Sequence, residues 1–148
     1  ALANLQASTF FGSVDARMVQ AGNSIFTDKL TATLRQAGCV RFCFVPVASI
    51  TPRRYRCQPD LAAKDLNGAA LQQLLLRMKP SFTSTTYGHP GYAQLRLVAP
   101  LEIRNGADDG AEMGAFRFLQ QPQRETNLRV SLDEYLRFGL EAGIFYAT

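Results

Sequence analysis

The chain has 148 residues, of which 47% are hydrophobic and 19% are charged, and its net charge is +4. This composition is that of one globular domain, and it excludes a disordered segment. No apolar run reaches the roughly 20 residues of a membrane-spanning helix, and the N-terminal residues lack the basic start and the long apolar stretch of a signal peptide. Because the chain opens on Ala-Leu-Ala-Asn without a methionine, we expect it to be cut from a longer protein.

A repeat occupies the first part of the chain. Residues 7–16 resemble residues 22–32, and three apolar pairs align: Phe10 with Ile25, Phe11 with Phe26, and Val14 with Leu30. A third, weaker copy begins at Gly38. A period of about 15–17 residues is too short for helical repeats and is typical of one coil of a parallel β-helix. An antiparallel hairpin or meander remains the alternative.

The remaining chain is expected to close this solenoid. An open coil exposes unpaired backbone, so two or three coils need a cap or a further stack from elsewhere. The pattern therefore predicts a mainly β protein with helices (α+β): residues 1–46 as terminal β-solenoid rungs and residues 47–148 as a mixed helix and strand capping and interaction region. The two parts can also form one continuous domain.

The first elements after the repeat are a strand, a loop and a helix. Apolar alternation predicts a strand over residues 40–45, and the prolines around residues 51–59 indicate an extended loop. Residues 66–79 have the spacing of an amphipathic helix with one apolar stripe: Leu71, Leu74, Leu75 and Met78. We expect this stripe to cover an otherwise open apolar surface.

The second half alternates short strands and helices. Strands are predicted over residues 82–87 and 92–98, and a turn over residues 106–110. Helical character resumes near residue 111, breaks at Pro122 and returns over residues 131–139. A strand-like tail, residues 143–148, ends the chain.

The metal-ligating residue types do not form a convincing site. Cys39, Cys43, Cys57 and His89 supply three thiols and one imidazole, but Cys39 and Cys43 are four residues apart on a predicted strand, about 13 Å. The thiols are better interpreted as small buried hydrophobes, and the odd count argues against a disulfide framework. His89 lies in a predicted turn and is interpreted as structural.

The carboxylates are also weak candidates. Asp108, Asp109 and Glu112 lack the alternating spacing of a calcium loop and fit a turn before a helix. Asp15 and Asp28 are the only acids on the rungs, and they fall at non-equivalent places, unlike the stacked acids of a polysaccharide-cleaving groove. The sequence therefore predicts no catalytic residue, no metal and no cofactor.

The densest basic cluster is Arg53, Arg54, Tyr55 and Arg56, which lies between prolines. Arginine and tyrosine are enriched at interface hot spots, and a stiff segment loses little entropy on binding. We interpret the four residues as a contact to another protein chain. Nucleic acid is the less favoured partner, because it needs several such patches.

Four stretches carry a family resemblance: 35–46 (RQAGCVRFCFVP), 51–59 (TPRRYRCQP), 104–116 (RNGADDGAEMGAF) and 132–148 (LDEYLRFGLEAGIFYAT). With them, nearly the whole chain resembles the C-terminal region of large uncharacterised bacterial right-handed β-helix proteins associated with phage-tail-like contractile injection systems.

The resemblance implies a structural component of a large assembly, an accessory or baseplate-type part of such a particle. Its expected partners are other protein subunits or further copies of itself. Its expected location is a cytoplasmic assembly, or a particle that is attached to a membrane or released. A carbohydrate-binding or polysaccharide-cleaving β-helix protein is the alternative.

Overall fold

The computed structural model describes residues 1–145 and consists of a short parallel β-solenoid with helices packed on one side. The strands are β1 (Leu2–Gln6), β2 (Thr9–Phe10), β3 (Val14–Ala16), β4 (Met18–Gly22), β5 (Ile25–Phe26), β6 (Leu30–Ala32), β7 (Gly38–Arg41) and β8 (Arg53–Tyr55). The helices are α1 (Asp60–Ala63), α2 (Gly68–Arg77), α3 (Leu101–Arg104) and α4 (Gln121–Tyr135).

The strands stack in about three coils, and every pair of strands is parallel. One sheet has the order β1-β4-β7-β8, while β2 pairs with β5 and β3 with β6. Leu2 lies opposite Met18, Thr9 opposite Ile25 and Val14 opposite Leu30, so the first two coils are offset by 16 residues throughout. The predicted parallel solenoid is confirmed and the hairpin alternative is wrong.

The predicted interior column of aromatic rings is present. Phe10 stacks on Phe26, with ring centroids 5.0 Å apart and planes 5° from parallel. The predicted alignment was one residue out here, because it placed Phe11 on Phe26. The constant 16-residue offset between the two coils pairs Phe10 with Phe26. A slip of one residue would turn the paired side chain to the opposite face of the strand.

Each coil turns its first corner at a residue in the left-handed conformation. These residues have φ between 45° and 51° and follow the first strand of successive coils: Ala7, Asn23, Phe42 and Arg56. Only asparagine among them favours this conformation, so residue type does not reveal the repeat. The predicted strand over residues 40–45 is confirmed for residues 40 and 41, which belong to β7, and is wrong beyond them, because the chain turns at Phe42.

The solenoid also continues beyond the predicted boundary at residue 46. Residues 53–55, predicted to lie in an extended loop, form β8 and pair with β7, and Gln58 bridges to Phe44. The loop prediction was wrong because the flanking prolines lie outside the three paired residues.

Two apolar cores lie on opposite sides of the coil wall. Phe26 belongs to the interior core, whereas its neighbour Ile25 faces outward and joins Phe44 in a second core. Leu74 of α2 and Met78, the C-cap residue of that helix, complete this second core, so the predicted stripe is the buried side of the helix. The helix packs against the outer side of the second and third coils.

The region after α2 departs most from the predicted elements. Residues 82–87 and 92–98 make only isolated bridges, Phe82 with Leu95 and Ser84 with Tyr92, and form no strand. Turn hydrogen bonds around Gly91 occupy the backbone instead. Pro122 is the second residue of α4 and does not break the helix, because a first-turn proline lacks only an N–H that would be unpaired there.

The predicted tail strand falls partly outside the described residues. Residues 143–145 are not in a strand, and residues 146–148 lie beyond the part of the chain that the structure describes.

A loop before α4 fastens the C-terminal half to the first two coils. The N–H of Gly114 donates to the Asn23 carbonyl at 2.8 Å, and the next N–H donates to Thr9 Oγ1 at 3.0 Å. Gly114 has φ of 101°, and a Cβ atom there would lie 2.6 Å from Thr9 Oγ1. Only glycine permits this approach.

Candidate interaction surfaces

The predicted interface cluster lies on β8, the last strand of the solenoid. Side chains alternate along a strand, so Arg53 and Tyr55 face outward while Arg54 faces inward. Arg56 follows at the left-handed corner and is exposed. The structure therefore displays three of the four predicted residues.

Arg54 is bound within the protein. It stands above Val40 in an interior column, and its side chain is only 19% exposed. Its Nε donates to Thr51 Oγ1 at 2.8 Å, its Nη2 donates to the Ser49 carbonyl at 2.9 Å, and its Nη1 lies 3.0 Å from Asp60 on α1. Arg54 thus covers the last interior column and ties it to α1.

Two residues of β7 and its corner join the exposed arginines. Arg41 lies opposite Tyr55 in the sheet, and the ring of Phe42 meets the Tyr55 ring edge-on at 5.7 Å. The Arg56 guanidinium carbon lies 5.9 Å from the Tyr55 centroid. We call these five residues the arginine surface: Arg41, Phe42, Arg53, Tyr55 and Arg56. The sequence analysis missed Arg41 and Phe42, since only the pairing of β7 with β8 brings them near the cluster.

A second surface is the open first coil. Leu5, Phe10, Val14 and Ala16 are only partly buried, whereas Ala21, Phe26, Leu30 and Ala32, their partners in the second coil, are buried. Strands β1, β2 and β3 each pair on one side only within residues 1–145. The backbone N–H groups of Thr9 and Asp15 point away from the second coil. The backbone groups next to them along the same strands hydrogen-bond to the second coil, and successive groups of a strand point to opposite sides.

Two of the cysteines occupy equivalent corner positions. The column is Ser8, Ser24, Cys43 and Cys57, each of which follows one strand of the sheet β1-β4-β7-β8. In all four, the hydroxyl or thiol donates to the carbonyl two residues earlier. Cys43 is fully buried, and burial raises the pKa of its thiol to about 12. The two thiols thus replace serine hydroxyls in a structural column, and Cys39 lies on the outer face of β7.

The other candidate residues do not converge. His89 accepts a hydrogen bond from the Gly91 N–H through Nδ1 within a turn, at 2.9 Å. Asp108 and Asp109 both pair with Arg117. Asp15 lies opposite Thr31, so the described coils carry no stacked pair of acids. No group of three or more potential metal ligands occurs within residues 1–145.

Glu112, predicted from the sequence to lie at a turn before a helix, is a buried acid. It is 1% exposed, its Oε1 accepts the Gln121 N–H at 3.1 Å, and its Oε2 has no hydrogen-bond partner within residues 1–145. Burial raises the pKa of this carboxyl from 4.5 to about 7, against the smaller opposing effect of the Gln121 hydrogen bond. The protonated form is therefore the one that fits the site.

Stability should fall as the pH rises from about 4.5 to about 7. In this window the folded protein keeps a proton on Glu112 that the unfolded chain has lost. We expect Glu112→Gln to raise the free energy of unfolding at pH 8 by on the order of 3 kcal/mol and to leave it unchanged at pH 4. Urea unfolding at both pH values measures this. A variant destabilised equally at both would contradict it.

A groove of about 590 Å³ lies between the solenoid and residues 75–85. Its lining is mostly apolar and includes Phe11, Phe44, Phe82 and Met78, with Lys79 as its charged residue. No carboxylate, histidine or cysteine lines it, so it presents none of these groups as an acid, base or nucleophile.

Comparison with known proteins adds no relative. No family model, no curated protein and no solved structure matches this chain. Among the described residues, no helix combines the length and the apolar character needed to cross a bilayer.

Proposed function

We propose that this protein is a structural and interaction component of a larger protein assembly, and that a further β-coil, of this protein or of a partner, covers the exposed side of its first coil. The observation that carries the proposal is the difference between the first two coils. The same interior columns are fully buried at Phe26 and Leu30 but only partly buried one coil earlier, at Phe10 and Val14.

The occupant that fits this surface is another β-coil. The exposed columns are apolar, and the free amides of Thr9 and Asp15 lie along strands that already have parallel geometry. An added coil would bury the apolar columns and would also accept hydrogen bonds from the two N–H groups. Strands β4 to β6 do the same on the other side of the first coil. Another coil of the same solenoid and a coil of a second protein offer the same chemistry.

The family resemblance of residues 35–46, 51–59, 104–116 and 132–148 supports a specific kind of assembly. We propose an accessory or baseplate-type part of a phage-tail-like contractile injection particle.

A matched pair of substitutions tests the docking of a coil. Asp15→Pro removes the free N–H on β3, whereas Asp15→Ala removes only the exposed carboxylate. We expect the alanine variant to assemble like the unmodified protein and the proline variant to remain unassembled, in sedimentation of tagged full-length protein from its host. Circular dichroism should show both variants folded, because no hydrogen bond to β6 uses that N–H.

Hydrogen exchange supplies a second measurement. The amides of Thr9 and Asp15 should exchange rapidly in the isolated chain and slowly in the native assembly. Rapid exchange in both, or full assembly of the proline variant, would contradict the proposal.

A further inference from the structure

The arginine surface carries three cations that no carboxylate neutralises. Within residues 1–145, the ion pairs involve Arg54, Arg77, Arg117 and Arg129. Arg41, Arg53 and Arg56 have no ion pair in that range, and all three are exposed. Asp108 lines a depression beside Arg41, but its carboxylate is bound by Arg117. The surface is therefore an uncompensated positive patch.

The sheet arranges these charges around a hollow. Cys39, Arg41, Arg53 and Tyr55 enclose a depression of about 290 Å³ on the outer face of β7 and β8. Neighbouring strands are about 4.8 Å apart and alternate residues about 6.7 Å apart, so Arg41 and Arg53 lie roughly 8 Å from each other on the diagonal. The backbones of both are paired in the sheet, so their ordering costs little on binding.

Aromatic rings give the patch an apolar floor. Tyr55 packs edge-on against Phe42 and is 53% exposed, while Arg56 lies over its ring. Guanidinium groups beside an exposed tyrosine recognise carboxylates by paired hydrogen bonds and bury the adjoining methylene groups.

We propose that the arginine surface binds an acidic segment of a partner protein, whose carboxylates pair with Arg41, Arg53 and Arg56 while its chain packs on Tyr55. This inference rests on the proposed function, and it adds a second contact with a defined chemistry. It includes Arg41, which lies outside the basic cluster, and it excludes Arg54, whose hydrogen bonds are used within the protein.

A fluorescein-labelled peptide of ten glutamates, followed by fluorescence anisotropy over a range of KCl concentrations, is the probe. The site variant is Arg41→Gln with Arg53→Gln and Arg56→Gln. The control variant is Arg35→Gln with Arg124→Gln and Arg137→Gln, which removes the same charge from exposed positions elsewhere. We expect the site variant to weaken binding at least tenfold and to reduce its salt dependence, and the control variant to change binding less than twofold.

Tyr55→Ala should weaken peptide binding several-fold without changing the salt dependence. Equal losses in the two triple variants would overturn the proposal, because binding would then follow net charge alone. The proposal would also be overturned, in favour of a nucleic-acid partner, if a ten-residue oligothymidine bound more tightly than the glutamate peptide and the site variant lost this binding. The proposed function is tested by a different measurement, the slow hydrogen exchange of the Thr9 and Asp15 amides in the native assembly. Failure of peptide binding would therefore overturn this inference without contradicting the proposed function.

Discussion

Replacing Phe26 by alanine is expected to lower the free energy of unfolding by about 3–5 kcal/mol. The side chain is 0% exposed and lies at the centre of the solenoid interior, stacked on Phe10. The substitution removes the buried ring and leaves a cavity between coils that are hydrogen-bonded above and below, so the walls cannot collapse into it. The lost ring stacking adds to the effect.

Urea unfolding followed by circular dichroism measures the loss. Phe138→Ala is the matched control, since its ring is exposed and the same atoms are removed; we expect a change within about 0.5 kcal/mol. A loss below about 1 kcal/mol for Phe26→Ala would mean that this ring is not the centre of the interior core.

Replacing Leu74 by aspartate is expected to give protein that is insoluble or unfolded. Leu74 is 7% exposed and packs with Ile25, Phe44 and Met78 in the second core. A carboxylate there has no cation or N–H to pair with in this apolar cluster, and burying it costs several kcal/mol, comparable to the whole stability of a small domain.

Leu76→Asp is the control on the same helix. Leu76 is 71% exposed, so the same charge meets solvent, and we expect soluble, folded protein. Leu74→Ala gives a quantitative intermediate, with an expected loss of about 2–5 kcal/mol in urea unfolding. If Leu74→Asp is as soluble as Leu76→Asp, α2 does not close the second core.

The elements predicted correctly are those whose side-chain period is strong and local. The apolar stripe of α2 repeats every three to four residues. The match of Val14 with Leu30 gives the number of residues in one coil, because these two residues are paired in the structure. Both patterns arise because burial selects apolar residues at fixed intervals along the chain.

The interaction surfaces were predicted only in part. The sequence shows that Arg53, Arg54, Tyr55 and Arg56 are adjacent. Because successive side chains of a strand point to opposite faces, Arg54 lies on the opposite face from Arg53 and Tyr55. Arg41 is distant in the sequence and joins them only through the pairing of β7 with β8. Glu112 could not be recognised as buried, because its burial depends on how the loop before α4 packs.

By itself, the sequence predicted a solenoid in the first 45 residues and an amphipathic helix after it, because repeated apolar spacing is a property of the chain, and the pairing in the structure excluded the antiparallel alternative. The tertiary structure alone decided where the coils turn, that β8 belongs to the solenoid, and which side of the coil wall each residue faces. Ala7, Phe42 and Arg56 adopt left-handed corners that their own preferences disfavour. At two of these corners the N–H of the left-handed residue donates to the next coil, from Ala7 to the Gly22 carbonyl and from Phe42 to the Tyr55 carbonyl, and these bonds offset the local cost.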